Sequence, residues 1–349
     1  MTAVEAVFFP LDEQLRLRAK HWSEGLLKEM VWLSGLETYA KAEEILARIG
    51  QVTLSDSSVW REAQRWGTGF QAVAEVERMR SNLVPGRWGT PLKQAEPQGR
   101  MGVAMDGGMV NIRGEGWKEL KAGTVFRVEV GRIRDELTKD WIEAAHAVEN
   151  SHVGHLGGPE KFGQMIWAEA DRRGWGQAAD TEVVGDGAPW IWNLAMDYFY
   201  AGWHVVDWYH AKEHLASVAR TLKGDDTPAM KQWLNSRATV LFQGRASRIA
   251  QELETEAKDQ PALARELQRE AGYFHRNQRR MQYQELREDG WVIGSGMVES
   301  ACKQFKARFT GPGMHWSRSG CERLIPVRAA IMSQRFDELW RRVYNSPPN

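Results

Sequence analysis

The chain has 349 residues, with 46 Lys and Arg balancing 46 Asp and Glu, so its formal net charge is zero. Hydrophobic residues make up 42% and charged residues 26%, the balance of a globular chain folding as one large domain or two to three smaller ones. The longest apolar runs fall far short of the ~20 residues that cross a bilayer, and two cysteines, Cys302 and Cys321, are too few for a four-cysteine zinc site.

The two thiols suit a reducing cytoplasm. The opening Met1–Pro10 has no basic stretch and no long apolar core, so no signal peptide is expected. Zero net charge speaks against a uniformly basic nucleic-acid-binding surface. Its distribution matters more: from Glu299 onward nine Lys and Arg face four acids, and Arg269, Arg276, Arg279 and Arg280 precede them. That asymmetry reads either as a basic surface or as ordinary solvated helices.

Residues 1–84 read as a helical region. Leu26–Leu33 and Tyr39–Ile49 carry apolar residues at three- and four-residue spacing. Gly50 stops the second helix, and Ser55-Asp-Ser-Ser caps a third that carries Arg61 and Arg65. Helix, short turn and helix make a helix-turn-helix pattern, which serves DNA binding or simple packing. Residues 85–99 are rich in Pro, Gly and Gln and read as a linker.

Beyond the linker the pattern changes to strands. Met101–Asp106, Met109–Arg113 and Thr124–Val130 are short, partly β-branched and separated by glycines, suggesting an antiparallel meander. His152 and His155 read as loop residues. Then helix 159–173, strand 181–186, helix 188–199, strand 203–207 and helix 209–222 alternate, which predicts parallel strands with packed helices. Residues 100–224 thus form the first part of an α/β core with a mixed sheet. Residues 225–290 read as a helical insertion without strands, and 291–349 as the last part of the core.

Three acids stand out by context. Asp106 closes an apolar run and opens Gly107-Gly108, Asp186 closes Thr181–Gly185 and opens Gly187-Ala188, and Glu299 lies where a Gly-Ser-Gly loop enters a helix. Open α/β sheets gather ligands at the carboxyl ends of their strands. Carboxylates there suit hard cations, and a pair of such ions can clamp the attacking and leaving oxygens of an in-line displacement on a phosphodiester. Taken singly, an Asp before Gly is an ordinary turn residue and an acid early in a helix is an ordinary partner of the helix dipole.

In order and context, Asp106-Gly, Asp186-Gly-Ala and Gly-Met-Val-Glu299-Ser resemble the catalytic triad of DDE transposases. The chain is more closely similar to bacterial insertion-sequence transposases related to the Mutator group, with the ISKra type nearest. The resemblance spans roughly residues 100–330. It implies an RNase H-like fold, an α/β mixed sheet flanked by helices with a helical insertion before the glutamate. It also implies DNA strand cutting and joining at insertion-sequence ends. Asp106, Asp186 and Glu299 would then be catalytic and hold two Mg²⁺ ions, with Mn²⁺ a substitute.

The family's Cys/Asp-x-x-His motif is matched by Asp207 and His210. His210 either orients a carboxylate or braces the strand-to-helix junction, and Asp207 is an alternative to Asp186 as the second metal ligand. Expected DNA contacts are Arg61, Arg65, Lys303, Lys306, Arg308 and Arg318, with Trp190 either stacking on a base or packing in the core. The implied partners are double-stranded DNA, both terminal repeats and target, and a second copy of the chain in a homodimer or larger assembly. No membrane partner is expected, and the location would be the bacterial cytoplasm, at the nucleoid when DNA is bound. The cysteine-rich zinc module of some related transposases is absent. A domesticated or truncated DNA-binding derivative, or a metal-dependent nuclease of the same fold, is the alternative.

Overall fold

Start signals in the sequence set most helix boundaries. In the computed structural model, which describes residues 22–81, 99–134 and 140–346, α1 (Glu24–Leu36) is capped by Ser23 and α2 (Tyr39–Arg48) by Thr38. The long α3 (Asp56–Arg80) follows. Residues 11–21 and 82–84 of the expected helical region, and the expected linker up to residue 98, lie outside the described residues.

The sheet begins with β1 (Arg100–Ile112), β2 (Gly116–Arg134) and β3 (Trp141–Leu156). Two corrections to the sequence reading arise here. Asp106 and the glycines after it do not end a strand: β1 runs on through them to Ile112. His152 and His155 are not loop residues but belong to β3, where they pair with Thr124 and Lys121. Charged and small residues along β3 hide the two-residue alternation that would have marked it.

Next come α4 (Pro159–Arg172), β4 (Asp180–Gly185), α5 (Pro189–Tyr198), β5 (Trp203–Val206) and α6 (Trp208–Lys223). Proline at the first position of α4 and α5 lacks only an N–H that would go unpaired there. The five strands lie in the order β3-β2-β1-β4-β5, with β4 parallel to both β1 and β5 and β3 antiparallel to β2. The fold is therefore mixed α/β. The apolar runs that marked the central strands form its core: Val183, Val184, Val205 and Val206 are fully buried, each worth ~1.5–3 kcal/mol over exposure.

Between β5 and the last helices lie α7 (Pro228–Phe242), α8 (Ala246–Asp259), α9 (Ala264–Asn277) and α10 (Tyr283–Glu288). The chain ends with α11 (Gly296–Phe309), α12 (Arg318–Met332) and α13 (Phe336–Asn345). Among the described residues no helix is long and apolar enough to cross a membrane.

Packing divides the chain into two compact units. Among the described residues, one joins 22–76, 110–118 and 305–346; the other holds 77–81, 99–109, 119–134 and 140–304. The sequence reading takes 291–349 as the last part of the core; by packing, residues 305–346 cluster with the N-terminal helices. In that first unit two buried arginines complete α1: Arg308 Nε donates to the Ser34 carbonyl at 2.7 Å and Arg328 Nη1 to that of Gly35 at 3.2 Å. Both cations sit on carbonyls at the negative end of a helix.

Candidate active site

The sheet register brings the aspartates together. Met105 pairs with Gly185 across β1 and β4, and Gly185 pairs with Val206 across β4 and β5. Asp106, Asp186 and Asp207 each come one residue later, on three neighbouring parallel strands spaced ~4.8 Å apart. Asp207 N–H still donates to the Gly185 carbonyl at 2.8 Å, carrying the ladder one step past β5. Asp106 and Asp186 are partly exposed, while Asp207 is fully buried.

Glu299 joins this row from the far end of the chain. It stands in the first turn of α11 and its Oε1 accepts from the Ser295 hydroxyl at 3.1 Å. The Ser295 N–H donates in turn to Asp207 Oδ2. Asp207 Oδ1 accepts from the His210 N–H at 2.5 Å and so caps α6. Burial pushes the Asp207 carboxyl up, the His210 and Ser295 bonds pull it partly back, and the Glu299 charge adds to the rise. Asp207 thus acts as a clamp between α6 and the loop entering α11.

A second set of side chains supports the Asp186 turn. Ala188 N–H donates to Asp186 Oδ1 at 2.8 Å, and Tyr273 on α9 donates its hydroxyl to the Asp186 carbonyl at 3.2 Å. Gly187 has φ +102°, and a Cβ there would come within 2.8 Å of Tyr273 Cε2. Only glycine suits both the conformation and the space. Tyr273 stacks on His214 with ring centroids 3.7 Å apart, and His214 Nδ1 lies 2.6 Å from Glu270 Oε2. Burial, with Asp186, Asp207 and Glu270 nearby, holds the Tyr273 phenol well above its ordinary range, so it stays a donor.

In kind and in backbone placement these carboxylates fit a divalent ion: hard oxygen donors stand at matched positions on adjacent strands. Their side chains do not yet form a cage. Among the described residues, no group of three or more His, Cys, Asp or Glu side chains is disposed to hold a metal. Asp106 Oδ1 accepts from Gly107 N–H at 2.6 Å, Asp186 Oδ1 and Glu299 Oε1 each accept the bond just described, and both Asp207 oxygens are bonded to backbone N–H groups.

Residues 175–343 match the model of the uncharacterised protein family UPF0236. No curated protein matches the chain. The matched segment contains Asp186, Asp207, Tyr273 and Glu299, while Asp106 lies before it.

The remaining predicted residues separate. His210 is neither buried nor bonded to Asp207 through its ring; its backbone makes that bond, and Nδ1 lies 3.7 Å from Glu213. Trp190 packs edge-on against Phe162 and carries the Lys121 ammonium 4.7 Å from its ring centre, the arrangement of a packing residue. Arg308 cannot belong to an exposed basic face: it is 2% exposed and lies against the Tyr39 and Trp316 rings. Of the expected contacts on α11, Lys303 and Lys306 are exposed while Arg308 turns inward. Arg61 and Arg65 are exposed on α3, and Arg318 forms a two-point ion pair with Glu115, at 2.8 and 2.6 Å.

Ser295, Tyr273 and the Lys121–Glu119 ion pair were not visible in the sequence. Ser295 lies inside the Gly-Ser-Gly motif, which gives no reason to single it out. Tyr273 comes from a helix 87 positions beyond Asp186. Glu119 faces Gly107, where a Cβ would collide with Oε1.

Proposed function

We propose that this protein is a DNA transposase of the DDE type on an RNase H-like fold, cutting and joining strands at insertion-sequence ends. The observation that carries the reading is the register match of Asp106 with Asp186, with Glu299 tied to the same row through Ser295 and Asp207. The sheet supports the fold assignment: parallel strands are added beside β1, away from the β2–β3 antiparallel pair. The family matched over 175–343, associated with transposase-like proteins, supports it further.

Asp106, Asp186 and Glu299 would hold two divalent cations, Mg²⁺ by preference. Such ions supply a water or 3′-hydroxyl of lowered pKa and charge stabilisation at the leaving oxygen. Asp186 suits this role better than Asp207, which is fully buried with both carboxyl oxygens on backbone N–H groups. The protein's own part is positioning. Tyr273 and Gly187 fix the Asp186 turn, Asp207 fixes the start of α11, and Ser295 aims Glu299. Release of Asp106 Oδ1 and Asp186 Oδ1 from their neighbouring N–H groups completes the donor set.

The test is cleavage of a duplex carrying the element's terminal repeat, with Mg²⁺ and with EDTA. Asp106→Asn, Asp186→Asn and Glu299→Gln should each lower cleavage by ~10³-fold or more, about 4 kcal/mol of barrier, with duplex affinity retained. Full cutting by any of them removes that residue from the site. The backbone-bonded carboxylates favour a second reading, a DNA-binding derivative without turnover. Duplex binding with no Mg²⁺-dependent nick would select it.

A further inference from the structure

The helical insertion meets the sheet-bearing core at α6. Asp207 caps that helix and is tied through Ser295 to Glu299. His214 stands seven positions further on (214 − 207 = 7), two turns along the same face. Opposite it lies α9, a helix of the insertion. His214 Nδ1 is 2.6 Å from Glu270 Oε2. A second bond, from the Thr221 hydroxyl to Glu266 Oε1 at 2.8 Å, joins the same two helices further along α6.

Glu270 is a fixed anchor. It is 3% exposed, and Arg269 donates to its Oε1 through Nε at 3.0 Å and Nη2 at 2.8 Å. Burial pushes its carboxyl up, but the bonds from His214 and Arg269 outweigh burial and hold it below the ordinary range. An ionised carboxylate only accepts, so the hydrogen between the two groups belongs to His214 Nδ1. That bond fixes the plane of the imidazole. The imidazole in turn lies flat on Tyr273, with centroids 3.7 Å and planes 19° apart. Gly187 lies against the Cε2 edge of the same phenol, and the phenol hydroxyl ends on the Asp186 carbonyl. A buried ring held on its face and on its edge can aim its hydroxyl in only one direction.

We infer that His214 is a positioning residue: held by Glu270, it sets the Tyr273 ring and through it the Asp186 turn. One helix, α6, then orients both Asp186, through His214, and Glu299, through Asp207. The insertion is a working part of the site, because α9 supplies both Glu270 and Tyr273. The inference rests on the reading above only for what the Asp186 carboxylate holds. A His214 that merely filled space would be replaceable by an apolar side chain of similar size.

The Ala188 N–H, which donates to Asp186 Oδ1, reports on the turn directly. Its hydrogen exchange can be followed by NMR on the metal-free protein. Tyr273→Phe removes the hydroxyl and keeps the ring, whereas His214→Leu removes the stacked face and the bond to Glu270. Each should speed exchange at Ala188 about fivefold, the weight of one hydrogen bond, while the amides of β4 exchange as in wild type. Because both act on one hydroxyl, the double variant should be no faster than Tyr273→Phe alone. Unchanged exchange in His214→Leu overturns the inference, and so does a double variant about 25-fold faster, the product of two independent effects. Faster exchange throughout β4 as well would mean a general loss of stability and overturn it too. Mn²⁺ uptake, read from the EPR signal of the free ion, gives a second readout. Half-saturation should rise about fivefold in both single variants, with duplex affinity unchanged. The expected exchange pattern with equal Mn²⁺ uptake by wild type and Asp186→Asn would uphold His214 as the positioning residue and count against the enzyme reading alone.

Discussion

Glu182 lies on β4, fully buried, with Oε1 3.4 Å from the Val292 N–H and Oε2 without a hydrogen-bond partner among the described residues. Burial holds its carboxyl well above the ordinary range, against the pull of the Val292 bond and of Arg100. A carboxyl raised on folding contributes stability that is complete in acid and is lost as pH rises through its folded value. Glu182→Gln keeps the shape without an ionisable proton. It should therefore raise the melting temperature at pH 7, by ~2–4 °C, roughly 1 kcal/mol for a large domain. The gain should vanish below about pH 4.5, the ordinary value for a glutamate; a gain of equal size at pH 4 and pH 7 would contradict this account. Nothing in Thr181-Glu-Val-Val marks this side chain as buried. Alternation along a strand names two faces, and only the second layer decides whether both are covered.

At the scale of elements, the C-terminal end of α1 depends on residues almost three hundred positions away. Arg308 and Arg328 supply donors to two of its last carbonyls, and Arg308 is further enclosed by the Tyr39 and Trp316 rings. Burial pushes the Arg308 guanidinium down, partly offset by Tyr39, yet it remains a cation at neutral pH. Arg308→Ala would leave the Ser34 carbonyl unpaired and a cavity between two rings. Loss of ~3 kcal/mol is expected, seen as a lower urea midpoint with unchanged slope. If the residue instead made a phosphate contact, the same variant would unfold normally and bind DNA more weakly. Helix spacing made α11 legible, together with the exposed Lys303 and Lys306. The inward turn of Arg308 was not legible, because it depends on what packs there.

For the molecule as a whole, a chain of zero net charge that works on DNA as proposed would have to hold it through local clusters such as Arg61 with Arg65 and Lys303 with Lys306, which are exposed. Removing a phosphate contact from duplex DNA lowers the slope of log K against log salt by ~0.9. Arg61→Gln and Lys303→Gln should each do so, measured by anisotropy from ~50 to 200 mM salt, with cleavage chemistry unaltered once DNA is saturating. An unchanged slope would remove that residue from the interface. By itself the sequence determined the alternation of strands and helices from 159 to 223, the caps that begin the helices, and the three acids at glycine junctions, because these follow from local periodicity and turn chemistry. Only tertiary structure decided that Asp106, Asp186 and Asp207 stand side by side, that Asp207 is a clamp, and that Tyr273 braces the Asp186 turn. Strand order and register arise from pairing between distant segments, and no local pattern along the chain encodes which segment lies next to which.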